Sequence, residues 1–94
     1  MLTNDNLLFE GSLNGGTQRV YRYANGCGLS LVNSTILHPY PFAWEAAVLR
    51  NVSENGAKFE LTYDTELTDD VIVFHTEEMA NEFIKRAERV LSAL

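Results

Sequence analysis

The side chains with chemistry to offer beyond packing are one cysteine, two histidines and a cluster of carboxylates. Cys27 would need an imidazole within hydrogen-bond reach to act as a thiolate nucleophile. Neither His38 nor His75 stands at a spacing that brings it there. Cys27 therefore reads as a small, partly buried strand residue just after a tight turn. One cysteine and two scattered histidines also fall short of the ligand set of a structural zinc site. The run Asp64-Thr65-Glu66-Leu67-Thr68-Asp69-Asp70 places four carboxylates within seven residues, a density suited to a hard cation held through oxygen. It does not meet the EF-hand pattern, because the mid-loop glycine and the closing glutamate are missing. The structural alternative is an Asx turn at Asp64 and a helix or turn start at Asp69 and Asp70. Gly26-Cys27-Gly28 belongs to a hairpin turn and opens no helix, so it is not a phosphate loop. No catalytic residue, metal or cofactor is assigned, and the chain is read as non-enzymatic.

Charge says more than the motifs do. Residues 1–50 carry three acids and three bases, whereas residues 51–94 carry ten acids and four bases, so the whole net charge of -6 lies in the second half. Between Glu60 and Glu82 there are eight carboxylates and no Lys or Arg. A compact fold would gather them into a strongly negative surface, unsuited to direct contact with nucleic acid and suited to a basic protein partner. A solvated face that only maintains solubility is the plainer reading. Asp64, Glu66, Asp69, Asp70, Glu77 and Glu78 are the candidate contacts on this side. Tyr40 and Trp44 are added from the stiff aromatic stretch His38-Pro39-Tyr40-Pro41-Phe42-Ala43-Trp44, because preorganised aromatic anchors favour interfaces. Core packing is the alternative for Phe42 and Trp44.

These residues must be positioned by strands and one helix. Asn25-Gly26 stands between stretches rich in Val, Tyr, Leu and Ile and suits a two-residue type I′ turn. With Ala24 opposite Cys27, Tyr23 faces Gly28 and Val20 faces Leu31. An earlier turn at Asn14-Gly15-Gly16 joins a strand near Leu7 to Leu13. A second hairpin at Asn55-Gly56 joins Trp44–Val52 to Lys58–Tyr63, setting Val52 beside Phe59 and Val48 beside Tyr63, with Arg50 opposite Leu61 as the one discordant pair. Good helix formers after Pro41 offer a short helix through Arg50 as the competing assignment. From Thr76 the period becomes helical: Thr76 is the expected N-cap, Glu77 and Glu78 fill the first turn, and Ala80, Phe83, Ile84, Ala87, Leu91 and Leu94 form the apolar stripe. Val71 to His75 fits either a buried strand or a helical turn.

Ninety-four residues with 46% hydrophobic and 21% charged side chains fit a single globular domain spanning 1–94. A lone cysteine points to a reducing cytoplasm. The opening MLTNDNLLFE lacks the basic and apolar regions of an export signal, and no apolar run is long enough to span a bilayer.

The stretches Tyr23-Ala24-Asn25-Gly26-Cys27-Gly28-Leu29-Ser30, Glu45-Ala46-Ala47-Val48-Leu49, Leu61-Thr62-Tyr63-Asp64-Thr65 and Thr68-Asp69-Asp70-Val71-Ile72 resemble, in that order, a family of small uncharacterised bacteriophage proteins with NGYG, E-x-AVL, LTYDT and TDDV motifs before a C-terminal helix. Cys27 stands where the family usually has tyrosine, and Val73-Phe74-His75 replaces a glycine-containing turn. The resemblance implies a phage context, hence the host cytoplasm, and supplies no catalytic residue.

The expected fold is α+β, an antiparallel sheet of four or five strands with the C-terminal helix on one face. The expected function is a non-enzymatic interaction module that binds and inhibits a host defence or nucleic-acid-processing protein with a basic surface, without direct contact to nucleic acid or membrane. A self-associating assembly accessory, with a possible homodimer, is the alternative, and a small metal-dependent hydrolase the third reading.

Overall fold

The computed structural model describes residues 2–13, 15–33, 44–62 and 72–94. Among them, six strands form one antiparallel sheet followed by a helix: β1 Leu7–Leu13, β2 Gly16–Arg22, β3 Gly28–Asn33, β4 Trp44–Arg50, β5 Glu60–Thr62, β6 Ile72–Phe74 and α1 Glu77–Leu91. Strands β1 to β4 follow in chain order as a meander, and β4 then carries both short strands on its far side. β5 pairs with Val48–Arg50, and β6 pairs with Trp44–Ala46. The two short strands thus lie along one line, with Thr62 opposite Val48 and Ile72 opposite Ala46. The expected α+β architecture holds, with one strand more than the larger number anticipated, because Ile72–Phe74 takes the extended of its two possible forms. Trp44–Arg50 is likewise a strand and not a helix.

The helix covers one face of the sheet. Thr76 caps it, its hydroxyl accepting from the Met79 N–H at 3.1 Å, and Glu77 and Glu78 stand in the first turn, where the helix dipole favours negative charge. Ala80, Ile84, Ala87 and Leu91 pack onto Tyr21, Leu29, Leu31, Ala46 and Val48, the alternate residues of β2, β3 and β4. Burying Ile84 or Leu91 contributes about 1.5–3 kcal/mol each, and the two alanines less. Leu94, expected on the apolar stripe, falls past the helix end and is exposed. On the opposite face a smaller cluster joins Val20, Leu49 and Val52 to Leu8 and Phe9. An irregularity between Leu7 and Phe9 makes this possible: Leu7 opposes Tyr21 and packs toward the helix, while the extra residue lets Leu8 and Phe9 both reach the second cluster. The turn after β4 closes over that cluster so tightly that a Cβ at Gly56 would stand 2.6 Å from the Phe9 ring.

Both Asn-Gly hairpins form, each with a register that differs from expectation by one residue. At the first, the Tyr23 N–H donates to the Cys27 carbonyl and the Gly26 N–H to the Tyr23 carbonyl, closing a loop of Ala24, Asn25 and Gly26. Gly26 adopts φ +86°, the left-handed position that ends such a loop. The turn is therefore not a two-residue type I′. Arg22, not Tyr23, opposes Gly28, and Val20 opposes Ser30. No aromatic rescue of Gly28 occurs across the strands; a Cβ there would lie 2.0 Å from the Tyr21 carbonyl oxygen. At the second hairpin, the Ser53 N–H donates to the Lys58 carbonyl and the Gly56 N–H to the Ser53 carbonyl, closing a loop over residues 54–57 where a two-residue Asn55-Gly56 turn would have closed between Glu54 and Ala57; beyond it Arg50 opposes Glu60 and Leu49 opposes Leu61. The strand after Asn51 has gained a residue. Asn51 sits at φ 54° while the Val52 N–H turns aside to the Gly26 carbonyl, so the bulge flips Leu61 to the face away from the helix. That slip removes the discordant Arg50–Leu61 pair and sets Arg50 opposite Glu60 instead.

Candidate interaction surface

Of the residues expected to contact a partner, Glu77 and Glu78 are exposed in the first turn of α1. Glu60 and Glu82, within the same cation-free stretch, are exposed as well. Asn51 Nδ2 donates to Glu60 Oε2. Asp64, Glu66, Asp69, Asp70 and Tyr40 lie outside the described residues. The anchors on either side of the acidic run are fixed, however, since Thr62 and Ile72 stand opposite positions of β4 only two residues apart, a separation of about 7 Å along a strand.

Trp44 does not join this surface. It is 8% exposed, opposes Phe74 across the sheet and belongs to the helix-side core, so the packing alternative is the one its position fits. Cys27 is 8% exposed in the same core, with its N–H donating to Asn25 Oδ1 at 3.2 Å. His75 is exposed just beyond β6, whose last residue opposes Trp44, whereas Cys27 precedes Gly28, which opposes Leu49. The thiol and that imidazole therefore sit toward opposite ends of β4, too far apart for proton exchange. Among the described residues no three His, Cys, Asp or Glu side chains converge as a metal site, and no helix is long and apolar enough to cross a membrane.

Two features escaped the sequence. The first is a strap formed by residues 2–6 over the helix-side face. Thr3 N–H donates to Asn81 Oδ1 on α1 at 2.8 Å, and the Tyr21 hydroxyl donates to the Thr3 carbonyl at 2.8 Å. Arg19, 9% exposed, reaches the Thr3 carbonyl, Asn4 Oδ1 and, at 3.0 Å, Glu10 Oε2, with its guanidinium over the Tyr21 ring. Burial raises the Tyr21 pKa above its ordinary value against the opposing pull of Arg19. An arginine in mid-strand carried no signal that its partners would come from the N-terminus. The second is a groove of about 310 Å³ between β6 and α1, lined by Ile72, Phe74, Met79, Glu82, Phe83 and Arg86. The Phe74 and Phe83 rings form its floor, with centroids 5.2 Å apart. The spacing of Met79, Glu82, Phe83 and Arg86 is that of one helix face; Phe83, expected on the core stripe, stands at the border between the two and lines the groove.

No protein-family model, curated protein or solved structure matches this chain.

Proposed function

We propose that this protein is a non-enzymatic interaction module whose acidic side engages a basic surface on a partner protein. The partner class we favour is a host defence or nucleic-acid-processing protein in a phage-infected cell, where a compact anionic domain competes for a phosphate-binding cleft. The observation that carries this reading is the charge distribution: eight carboxylates and no Lys or Arg from Glu60 to Glu82 in a chain whose first fifty residues are neutral. Glu60, Glu77, Glu78 and Glu82 are exposed, which supports their use as contacts. Exposed charge of one sign raises association rates through long-range attraction, and that attraction is screened within about 8 Å at physiological salt.

Affinity capture from a host lysate followed by binding kinetics tests the proposal. The expected partner is basic, and its association rate falls with ionic strength. Replacing Glu66, Asp69, Asp70, Glu77 and Glu78 by Gln or Asn should slow association by at least about tenfold and flatten the salt dependence, with the circular dichroism of the folded chain retained. A captured partner whose on-rate ignores both salt and these substitutions would reduce the acidic side to a solvated surface.

A further inference from the structure

We infer that the groove between β6 and α1 is a self-association site in which a second copy of this chain docks against the same groove about a two-fold axis. Four observations meet there. The groove is apolar at its floor, with Ile72, Phe74 and Phe83, and Met79 on its wall is 48% exposed. The adjoining strand β6 pairs with β4 alone among the described residues, and its sequence Ile72-Val73-Phe74 contains none of the Lys, Pro or charged side chains that usually blunt an exposed edge.

The third observation is that the groove's charges are complementary to themselves. A two-fold interface brings one patch against its own copy, so the patch must carry both signs in an arrangement that pairs with its rotated image. Glu82 and Arg86 stand one helical turn apart on the groove wall. With the axis beside β6 and perpendicular to the sheet, the two β6 strands and the two α1 helices run antiparallel. Glu82 of each copy then faces Arg86 of the other.

The fourth is the charge order along the whole helix. The exposed charged residues of its first half are Glu77, Glu78 and Glu82, and those of its second half are Lys85, Arg86 and Arg89, with Glu88 the exception. Antiparallel helices therefore set acidic halves beside basic halves and oppose their dipoles. This local match offsets the repulsion expected between two chains of net charge -6. A heterologous basic partner would find in this groove an Arg86 aligned against it. The surface is modest, and interfaces below about 1,200 Å² are weak and transient, so the dimer belongs to high concentration.

Sedimentation equilibrium or light scattering on the full chain, followed to about 1 mM, tests this. The unsubstituted protein should show a concentration-dependent doubling of mass. Met79→Glu, at an exposed position, should abolish it without altering the fold as read by circular dichroism. Glu82→Arg and Arg86→Glu should each weaken dimerisation at least about tenfold, since each sets like charges face to face. An equimolar mixture of these two variants should recover it, because every facing pair is then of opposite sign. Recovery in the mixture separates pairing between copies from any ion pair within one helix, which mixing cannot restore. A chain that stays monomeric to about 1 mM overturns the inference, as does a dimer indifferent to Met79→Glu or a mixture no better than its components. Loss of a captured host protein on Met79→Glu, with no change in self-association, would hand the groove to that partner and equally overturn it.

Discussion

Tyr21 in β2 and Tyr23 just past its end show how residue-scale satisfaction differs within a single core. Tyr21 buries its ring and donates its hydroxyl to the Thr3 carbonyl at 2.8 Å, so it closes the strap onto the sheet. Tyr23 is 2% exposed, and its hydroxyl has no hydrogen-bond partner among the described residues. A buried hydroxyl without a partner loses its bonds to water and gains none in return. Tyr21→Phe should therefore cost about 1 kcal/mol, whereas Tyr23→Phe should be neutral or stabilising by up to about 1 kcal/mol at neutral pH. Urea midpoints decide the contrast, and a loss above about 2 kcal/mol for Tyr23→Phe would mean that its hydroxyl holds a partner. The same burial sets a pH dependence. Desolvation raises the pKa of both phenols, at Tyr23 with a further push from the Glu88 charge, so the folded state holds these protons more tightly than the unfolded chain does. The associated stability is complete below the ordinary tyrosine value near 10 and is lost as pH climbs past it. Tyr23→Phe should remove part of that alkaline loss, measured as a smaller drop in midpoint between pH about 8 and about 10.5.

At the scale of elements, a turn and a helix end stabilise one another. Asn25 sits in the first hairpin loop, where its Oδ1 accepts from Cys27 N–H while its Nδ2 donates to the Leu91 carbonyl at 2.7 Å. It thereby gives the Leu91 carbonyl, near the end of α1, a second donor beside the Leu94 N–H at 3.2 Å. Asn25→Ala should cost about 1–2 kcal/mol and speed amide exchange in the last helical turn selectively. Uniform acceleration across the chain would instead place the damage in the hairpin. The Asn-Gly pair was legible as a turn, because few residues tolerate its geometry, yet its grip on a helix 66 positions away was not. The same divide runs through the whole fold. The period of Thr76 to Leu91 and the alternation of β2, β3 and β4 announce helix and strands, since each pattern repeats over several residues. At both Asn-Gly turns the register stands one residue from the one the alternation implies, because it depends on single events, a three-residue loop at one and a bulge at Asn51 at the other, that leave the surrounding composition unchanged. The candidate surface divides likewise: Glu77 and Glu78 stand in the first helical turn, where the N-cap at Thr76 puts them, while Trp44, beside prolines that suggest a surface loop, is core. The groove could not be read because it joins β6 to the flank of α1, a contact set by tertiary packing alone.

Across the whole molecule, the charge that suits a basic partner acts against the fold that displays it. The net charge of -6 lies entirely in residues 51–94, and the described carboxylates Glu60, Glu77, Glu78 and Glu82 are all exposed. Like charges on a compact surface repel over distances comparable with the screening length, about 30 Å at 0.01 M salt and about 8 Å at 0.15 M. Unfolding lets them separate, so screening should favour the folded state. Attractive pairs work in the opposite sense; the Arg19–Glu10 contact at 3.0 Å, with the guanidinium largely buried, is less open to screening than charges in water. Repulsion among exposed carboxylates is therefore the term that salt changes most. Raising sodium chloride from about 0.01 M to about 0.15 M should raise the melting midpoint, and a gain of about 1 kcal/mol would appear as roughly 4–8 °C in a domain of this size. Chloride is the salt to use, because sulfate strengthens apolar burial on its own account. Over the same range the association rate with a basic partner should fall, so stability and recognition should respond to salt with opposite signs. A midpoint that drops as sodium chloride is added would show that attractive pairs dominate the native charge distribution, and would remove the repulsive acidic field on which long-range capture of a cationic partner depends.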